Sequence, residues 1–212
     1  NKRNAKVKII VPKRGVKRKL LNMVSENALF GLSKYKNEKI NRKSRLNKAI
    51  YQLKEELSLV RDPIRIECYD ISNIQGTNPV GSMTVFIDGK PSKSHYRKFK
   101  IANVKGINDY EMMKEVLSRR LRNLKDTTKT EWNDKPDLII IDGGKGHLNA
   151  SLQTLLELGQ YPDISICSLA KKKEEIFIPE QSESIILSRN SKALHLFQFI
   201  SCLLYTSPSP RD

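Results

Sequence analysis

The sequence predicts an α/β fold: one mixed sheet in which three antiparallel strands precede parallel αβ units, with helices on its faces and a basic helical lead-in. Three observations predict it. Residues 64–102 hold successive runs rich in β-branched and aromatic side chains, with turn residues between them. From residue 108 onward, amphipathic helical patterns alternate with strand-like runs. Residues 1–60 carry 17 Lys/Arg against 4 Asp/Glu, unlike anything after them.

Taken in order, Lys6–Val11 reads as a short strand stopped by Pro12 and Gly15. Leu21, Val24 and Ala28 then recur at helical spacing over about Val16–Leu32. A second helix is expected over Arg42–Leu59, with Leu46, Ile50, Leu53 and Leu57 as a narrow packing stripe. The "VRDPIR" stretch breaks that pattern, so the lead-in is assigned to residues 1–62 and the main domain to 63–200. "IRIECYDIS" (Ile64–Ser72) is the first sheet strand. "VGSMTVFIDGK" (Val80–Lys90) is the second, closed by the hairpin dipeptide Asp88-Gly89. "SHYRKFKIA" (Ser94–Ala102) completes a three-stranded meander.

Asn108-Asp109 can cap a helix that runs to about Leu124 through Met112, Val116, Leu117 and Leu121. "PDLIIID" is a strand buried on both faces, since its apolar run is continuous. Leu148–Leu158 forms a helix ended by Gly159, and "DISICSLAK" is the next strand. "EEIFIP" and "ESIILS" pair as a hairpin. A last amphipathic helix starts at Ser191 through Ala193, Leu194, Phe197 and Ile200. Among common folds this order suits the ribonuclease H-like architecture. The final twelve residues, "SCLLYTSPSPRD", are expected to break that helix and to be a non-native tail resembling sequencing-adapter read-through.

Bulk properties narrow the partner class. The chain of 212 residues has a formal net charge of +16. That excess favours a polyanion, because each neutralised phosphate releases counterions. Lysine outnumbers arginine, which suits backbone contact more than base reading. Mean hydropathy is −0.51, and no run approaches the roughly 18 apolar residues of a membrane helix. Cys68, Cys167 and Cys202 match no zinc spacing and suit a reducing, cytoplasmic setting. The chain starts without Met and reads as an internal fragment.

The chemistry concentrates on carboxylates that fall on the sheet, one within a strand and one at a strand's carboxyl end. Asp70 lies among residues that otherwise want burial, and Asp142 ends the "PDLIIID" strand. In open α/β sheets such ends line the ligand crevice. If these two strands are neighbours, the two carboxylates face each other, and their repulsion is relieved by a hard divalent cation such as Mg²⁺ or Mn²⁺. Asp142 could equally pair with Lys145 or accept turn hydrogen bonds. Asp109 reads as a helix cap. Gly143-Gly144-Lys145-Gly146 lacks the spacing of a nucleotide-binding loop. Its glycines instead let backbone N–H groups approach a phosphate, with Lys145 adding a point charge. His147 is a candidate substrate contact, whereas His95 and His195 read as ordinary residues.

Five motifs, "RIECYDISNIQGT", "YRKFKI", "NDYEMMKEVLSRR", "PDLIIIDGGKGHLNAS" and "SLAKKKEEIF", occur in the order and spacing of the UvrC family, the nuclease component of excinuclease ABC. The chain resembles that family from Lys6 to Ile200. The resemblance implies a ribonuclease H-like endonuclease that makes the 5′ incision beside a DNA lesion in bacterial nucleotide excision repair. It implies that Asp70, Asp109 and Asp142 are catalytic metal ligands, which raises Asp109 above a simple cap. Gly143, Gly144, Lys145, Gly146, Arg97 and Lys98 are then expected to contact DNA. Damaged double-stranded DNA and the excinuclease ABC component UvrB are the implied partners, with UvrA in the same pathway. The family's "DISH" is "DISN" here and its "GGKGQ" is "GGKGH". Its catalytic histidine follows in an "RDEAHRF"-like helix and is expected beyond Ile200, where this chain lacks it. His195 lies upstream of that motif and does not replace it.

The resulting expectation is metal-dependent phosphodiester hydrolysis by a fragment weakly active or inactive alone. The alternatives are a non-catalytic nucleic-acid-binding module of the same fold and an enzyme that uses the glycine turn for a nucleotide.

Overall fold

A computed structural model describes residues 11–72, 79–104, 106, 108–125, 133–171 and 174–206. The chain divides into two compact units, residues 1–45 and 46–212.

The long helix α1 (Val16–Glu56) crosses that division. Two helices were expected here, and one continuous helix forms instead. The apolar periodicity lapses between them, but the intervening residues include no proline, so loss of a buried face does not end the helix. In the first unit Leu20, Met23, Val24 and Phe30 are all exposed. In the second, Ala49, Ile50, Leu53 and Leu57 are buried against Ile66, Phe86 and Phe197. The stripe read from sequence is therefore a wall of the main core. The division falls at Arg45/Leu46 and not near residue 62, because burial, not the turn at "VRDPIR", defines the unit. The strand expected at Lys6–Val11 lies almost wholly outside the described residues.

The sheet contains β1 (Arg65–Ser72), β2 (Val80–Ile87), β3 (Lys90–Pro91), β4 (Arg97–Lys100), β5 (Leu138–Asp142), β6 (Ser165–Ala170), β7 (Glu175–Phe177) and β8 (Ile185–Ile186). Their order is β3-β2-β1-β5-β6-β7-β8, with β4 also pairing β2. The pairs β1–β5 and β5–β6 are parallel, and β1–β2, β2–β4, β6–β7 and β7–β8 are antiparallel. This is the mixed, ribonuclease H-like arrangement expected. The third expected strand is shorter than its sequence pattern, since Lys93–His95 form a single 3₁₀ turn before β4.

Alternation along the central strands builds two cores. Ile66, Cys68, Leu138, Ile140, Cys167 and Leu169 face the second half of α1 and α4 (Lys192–Thr206). Tyr69, Ile139, Ile141 and Ile166 face α2 (Asp109–Arg122) and α3 (Lys145–Glu157). Helix α4 runs through the residues expected to break it. Ala193, Leu194, Phe197, Ile200 and Leu204 keep the three-to-four spacing and are all buried. Residues 207–212 of the expected tail lie outside the described set. Among the described residues no helix is long and apolar enough to cross a membrane.

Candidate metal centre

Strand β1 positions Asp70 and strand β5 positions Asp142. Their parallel register pairs Tyr69 with Ile141, so the next step along both strands sets the two aspartates side by side. Alternation sends both to one face. Asp70 follows Ile66 and Cys68, and Asp142 follows Leu138 and Ile140, toward the side covered by α1 and α4.

The two carboxylates interact as the register requires. Burial is the first cause that pushes the Asp70 carboxyl up to about 6, and the charge of Asp142 is the second. Burial also raises Asp142, while a hydrogen bond from Lys171 opposes the shift. The Lys171 Nζ lies 2.5 Å from Asp142 Oδ2. Lys171 lies in the turn directly after β6, whose Leu169 pairs with Asp142.

Asp109 lies at the N-terminus of α2. Asn108 supplies the cap, its Oδ1 accepting the N–H of Glu111 at 3.3 Å. The cap is thus Asn108, and Asp109 is the first helical residue. Its Oδ1 is buried without a hydrogen-bond partner. Its charge is among those that raise Asp70. A buried carboxylate oxygen left unpartnered costs free energy unless a donor or cation meets it.

Among the described residues, no three His, Cys, Asp or Glu side chains stand close enough to hold a metal ion as placed. The donor set nevertheless fits a hard divalent cation. It offers carboxylate oxygens alone, two of the aspartates repel each other, and the third carries an orphaned oxygen.

The glycine turn has a packing explanation. A Cβ on Gly143 would lie 2.6 Å from the His147 ring, and one on Gly146 would lie 2.8 Å from the Tyr110 hydroxyl. Tyr110 and His147 stack at a tilt, with ring centroids 4.7 Å apart. Gly146 thereby lets α3 close on α2, Gly143 makes room for the His147 ring of α3 itself, and Gly144 of this turn faces open space. Lys145, expected beside the metal, donates from Nζ to the Ser182 carbonyl at 3.2 Å. Arg97 donates to the carbonyls of Ser94 and Tyr96 at 2.6 and 2.8 Å, and Lys98 is exposed on β4. His95 hydrogen-bonds the hydroxyl of Ser92, and His195 lies exposed on α4.

Sequence reasoning missed Lys171. "SLAKKKEEIF" holds three successive lysines, and only pairing of β6 beside β5 distinguishes the first of them. It also missed Glu67 and Arg120, which form a buried ion pair at 2.7 Å. A charged residue inside the apolar run "IRIECY" was the available signal.

A family model described as the UvrC RNase H endonuclease domain matches residues 54–201. The UvrABC system protein C of Christiangramia forsetii is 44% identical over 194 residues, covering 91% of this chain and 32% of that protein. That of Dehalococcoides mccartyi is 44% identical over 198 residues, covering 93% and 32% respectively. The chain thus spans about a third of the length of these relatives. Among solved structures, Ciona intestinalis endonuclease V in complex with a 24mer DNA aligns at 16% identity with a TM-score of 0.38. That alignment covers 80% of this chain and 68% of the other, a likeness too distant to inform the site.

Proposed function

This chain belongs to the UvrC RNase H endonuclease domain family, and from that premise we propose that it is the part of a nucleotide excision repair nuclease that cuts DNA on the 5′ side of a lesion. The reaction is metal-dependent hydrolysis of a phosphodiester. The observation that carries this reading is the placement of Asp70, near the carboxyl end of β1, beside Asp142, the last residue of the adjacent parallel strand β5.

Asp70, Asp142 and Asp109 hold Mg²⁺ or Mn²⁺ in this reading. When bound, the ion polarises the scissile phosphate and lowers the pKa of an attacking water. The chain's own residues prepare for that. The parallel register holds two carboxylates where their mutual repulsion favours a cation, and the charge of Asp109 acts on Asp70 in support of the third ligand role. The N-terminus of α3, opened by Gly144, offers backbone N–H groups to a phosphate. Arg97, Lys98 and Lys145 supply positive charge to the DNA backbone, and the basic first half of α1 is by itself a further stretch of positive charge. Damaged double-stranded DNA is the substrate, and UvrA and UvrB of the same excision system are the partners, in the bacterial cytoplasm.

The test uses a full-length relative that carries the counterpart of Asp142 as alanine. The expected result is loss of the 5′ incision with DNA binding retained. Retained 5′ cutting would sink the assignment. A nucleic-acid-binding module without catalysis predicts, in addition, no Mn²⁺-dependent rise in thermal stability for this chain.

A further inference from the structure

We infer that Lys171 is an internal counter-cation, which holds Asp142 while no metal is bound and yields that carboxylate to the divalent ion. This rests on the metal-binding reading above and makes Lys171 a positioning residue of the site.

Three observations carry the inference. First, the Lys171 ammonium lies 2.5 Å from Asp142 Oδ2, within reach of an oxygen that a metal would need. Second, the pair is unequally buried. The Asp142 side chain is 9% exposed and that of Lys171 is 35%. The carboxylate is therefore fixed by its strand, and the lysine is the partner with room to leave. Third, β6 delivers the lysine to the correct side. Cys167 and Leu169 face the α1/α4 core, and Lys171, in the turn that directly follows β6, reaches Asp142 on that side. Lys145, the lysine that the glycine turn draws attention to, is bound to the Ser182 carbonyl instead.

The physical consequence is competition. A compact ammonium on a flexible stem and a hard divalent cation both seek the same carboxylate oxygen. The ammonium offsets the repulsion between Asp70 and Asp142 and so keeps the metal-free crevice assembled. A metal that takes Oδ2 must displace the ammonium from that oxygen, so the contact weakens such binding by its own strength.

Calorimetric titration of Mn²⁺ into the chain tests this, with Lys171→Met, Lys171→Gln and Lys171→Arg alongside. Lys171→Met and Lys171→Gln are expected to bind Mn²⁺ about three- to tenfold tighter, the size of a part-exposed ion pair expressed as a binding constant. Lys171→Arg keeps the charge and is expected to stay near the parent affinity. Without metal, the two neutral variants are expected to melt below the parent and to gain more from Mn²⁺. The second neutral variant serves if the first does not fold. Equal or weaker Mn²⁺ binding in a folded neutral variant overturns the inference while leaving the metal site intact. Failure of the parent to bind Mn²⁺ overturns both the inference and the metal-binding reading.

Discussion

Arg120 grips Glu67 through two parallel hydrogen bonds inside the protein, Nη2 to Oε1 at 2.7 Å and Nε to Oε2 at 3.1 Å. Arg65 Nε and the Tyr69 hydroxyl donate to the same carboxylate at 3.0 and 2.6 Å. Glu67 is fully buried and Arg120 nearly so. This network ties α2 to β1, the two elements that carry Asp109 and Asp70.

Breaking one side of this pair is expected to be costly, because it strands a buried charge. Glu67→Gln should lower the unfolding free energy by about 3–5 kcal/mol. The double variant Glu67→Gln/Arg120→Met should cost less than the two single changes added together. Chemical denaturation of the four proteins measures both terms. A loss under about 1 kcal/mol in the single variant would show the network to be dispensable.

Stability without metal should depend on pH through Asp70. Its carboxyl titrates near 6 in the folded chain and about 3.9 when unfolded. The folded state therefore holds the proton more tightly. Its contribution is fully present below about pH 4 and is lost as pH rises through about 6. Allowing for partial exposure, the loss is on the order of 1–2 kcal/mol. Asp142 shifts in the same direction and adds to the trend. Denaturation midpoints in chelator at about pH 4.5 and about pH 7 should show the drop, and Asp70→Asn should remove most of it. A parent profile flat over that range contradicts the prediction.

Gly143 has little room for a side chain. Gly143→Ala drives a methyl to 2.6 Å from the His147 ring and should destabilise by about 1–3 kcal/mol. Adding His147→Ala removes the obstacle, so the double variant should recover part of that loss. Thermal melting of the three proteins tests it. A double variant no more stable than Gly143→Ala would mean that the clash is absorbed elsewhere.

The boundary at Arg45/Leu46 predicts what can be cut away. A chain starting at Leu46 should unfold cooperatively, since Leu53 and Leu57 remain in the core. A chain starting at Pro63 removes Ala49, Ile50, Leu53 and Leu57 and should lose cooperative unfolding. Within the intact chain, Leu53→Ala should cost about 2–5 kcal/mol as a buried large-to-small change. Calorimetric unfolding distinguishes the cases, and a cooperative transition in the Pro63 chain would place the boundary where the sequence turn suggested.

Much of the sheet was legible because its signals are local. The triple isoleucine of β5, the Asn108 cap of α2 and the helical spacing of α4 each act within a few residues. The order of elements then implied that β1 and β5 are neighbours, and with it that Asp70 meets Asp142. The continuity of α1 was not legible. A helix that loses its buried face also loses the periodicity by which a helix is recognised, though its backbone hydrogen bonds persist.

The sequence by itself determined which residue types end the central strands and on which strand each aspartate lies, since strand periodicity and turn chemistry are short-range. Only the tertiary structure decided that Lys171 reaches Asp142, that Glu67 and Arg120 lock β1 to α2, and that half of a basic helix belongs to the core. Those relationships join residues 29, 53 and more than 100 positions apart. Their energies depend on burial and register across the whole sheet, which no local pattern encodes.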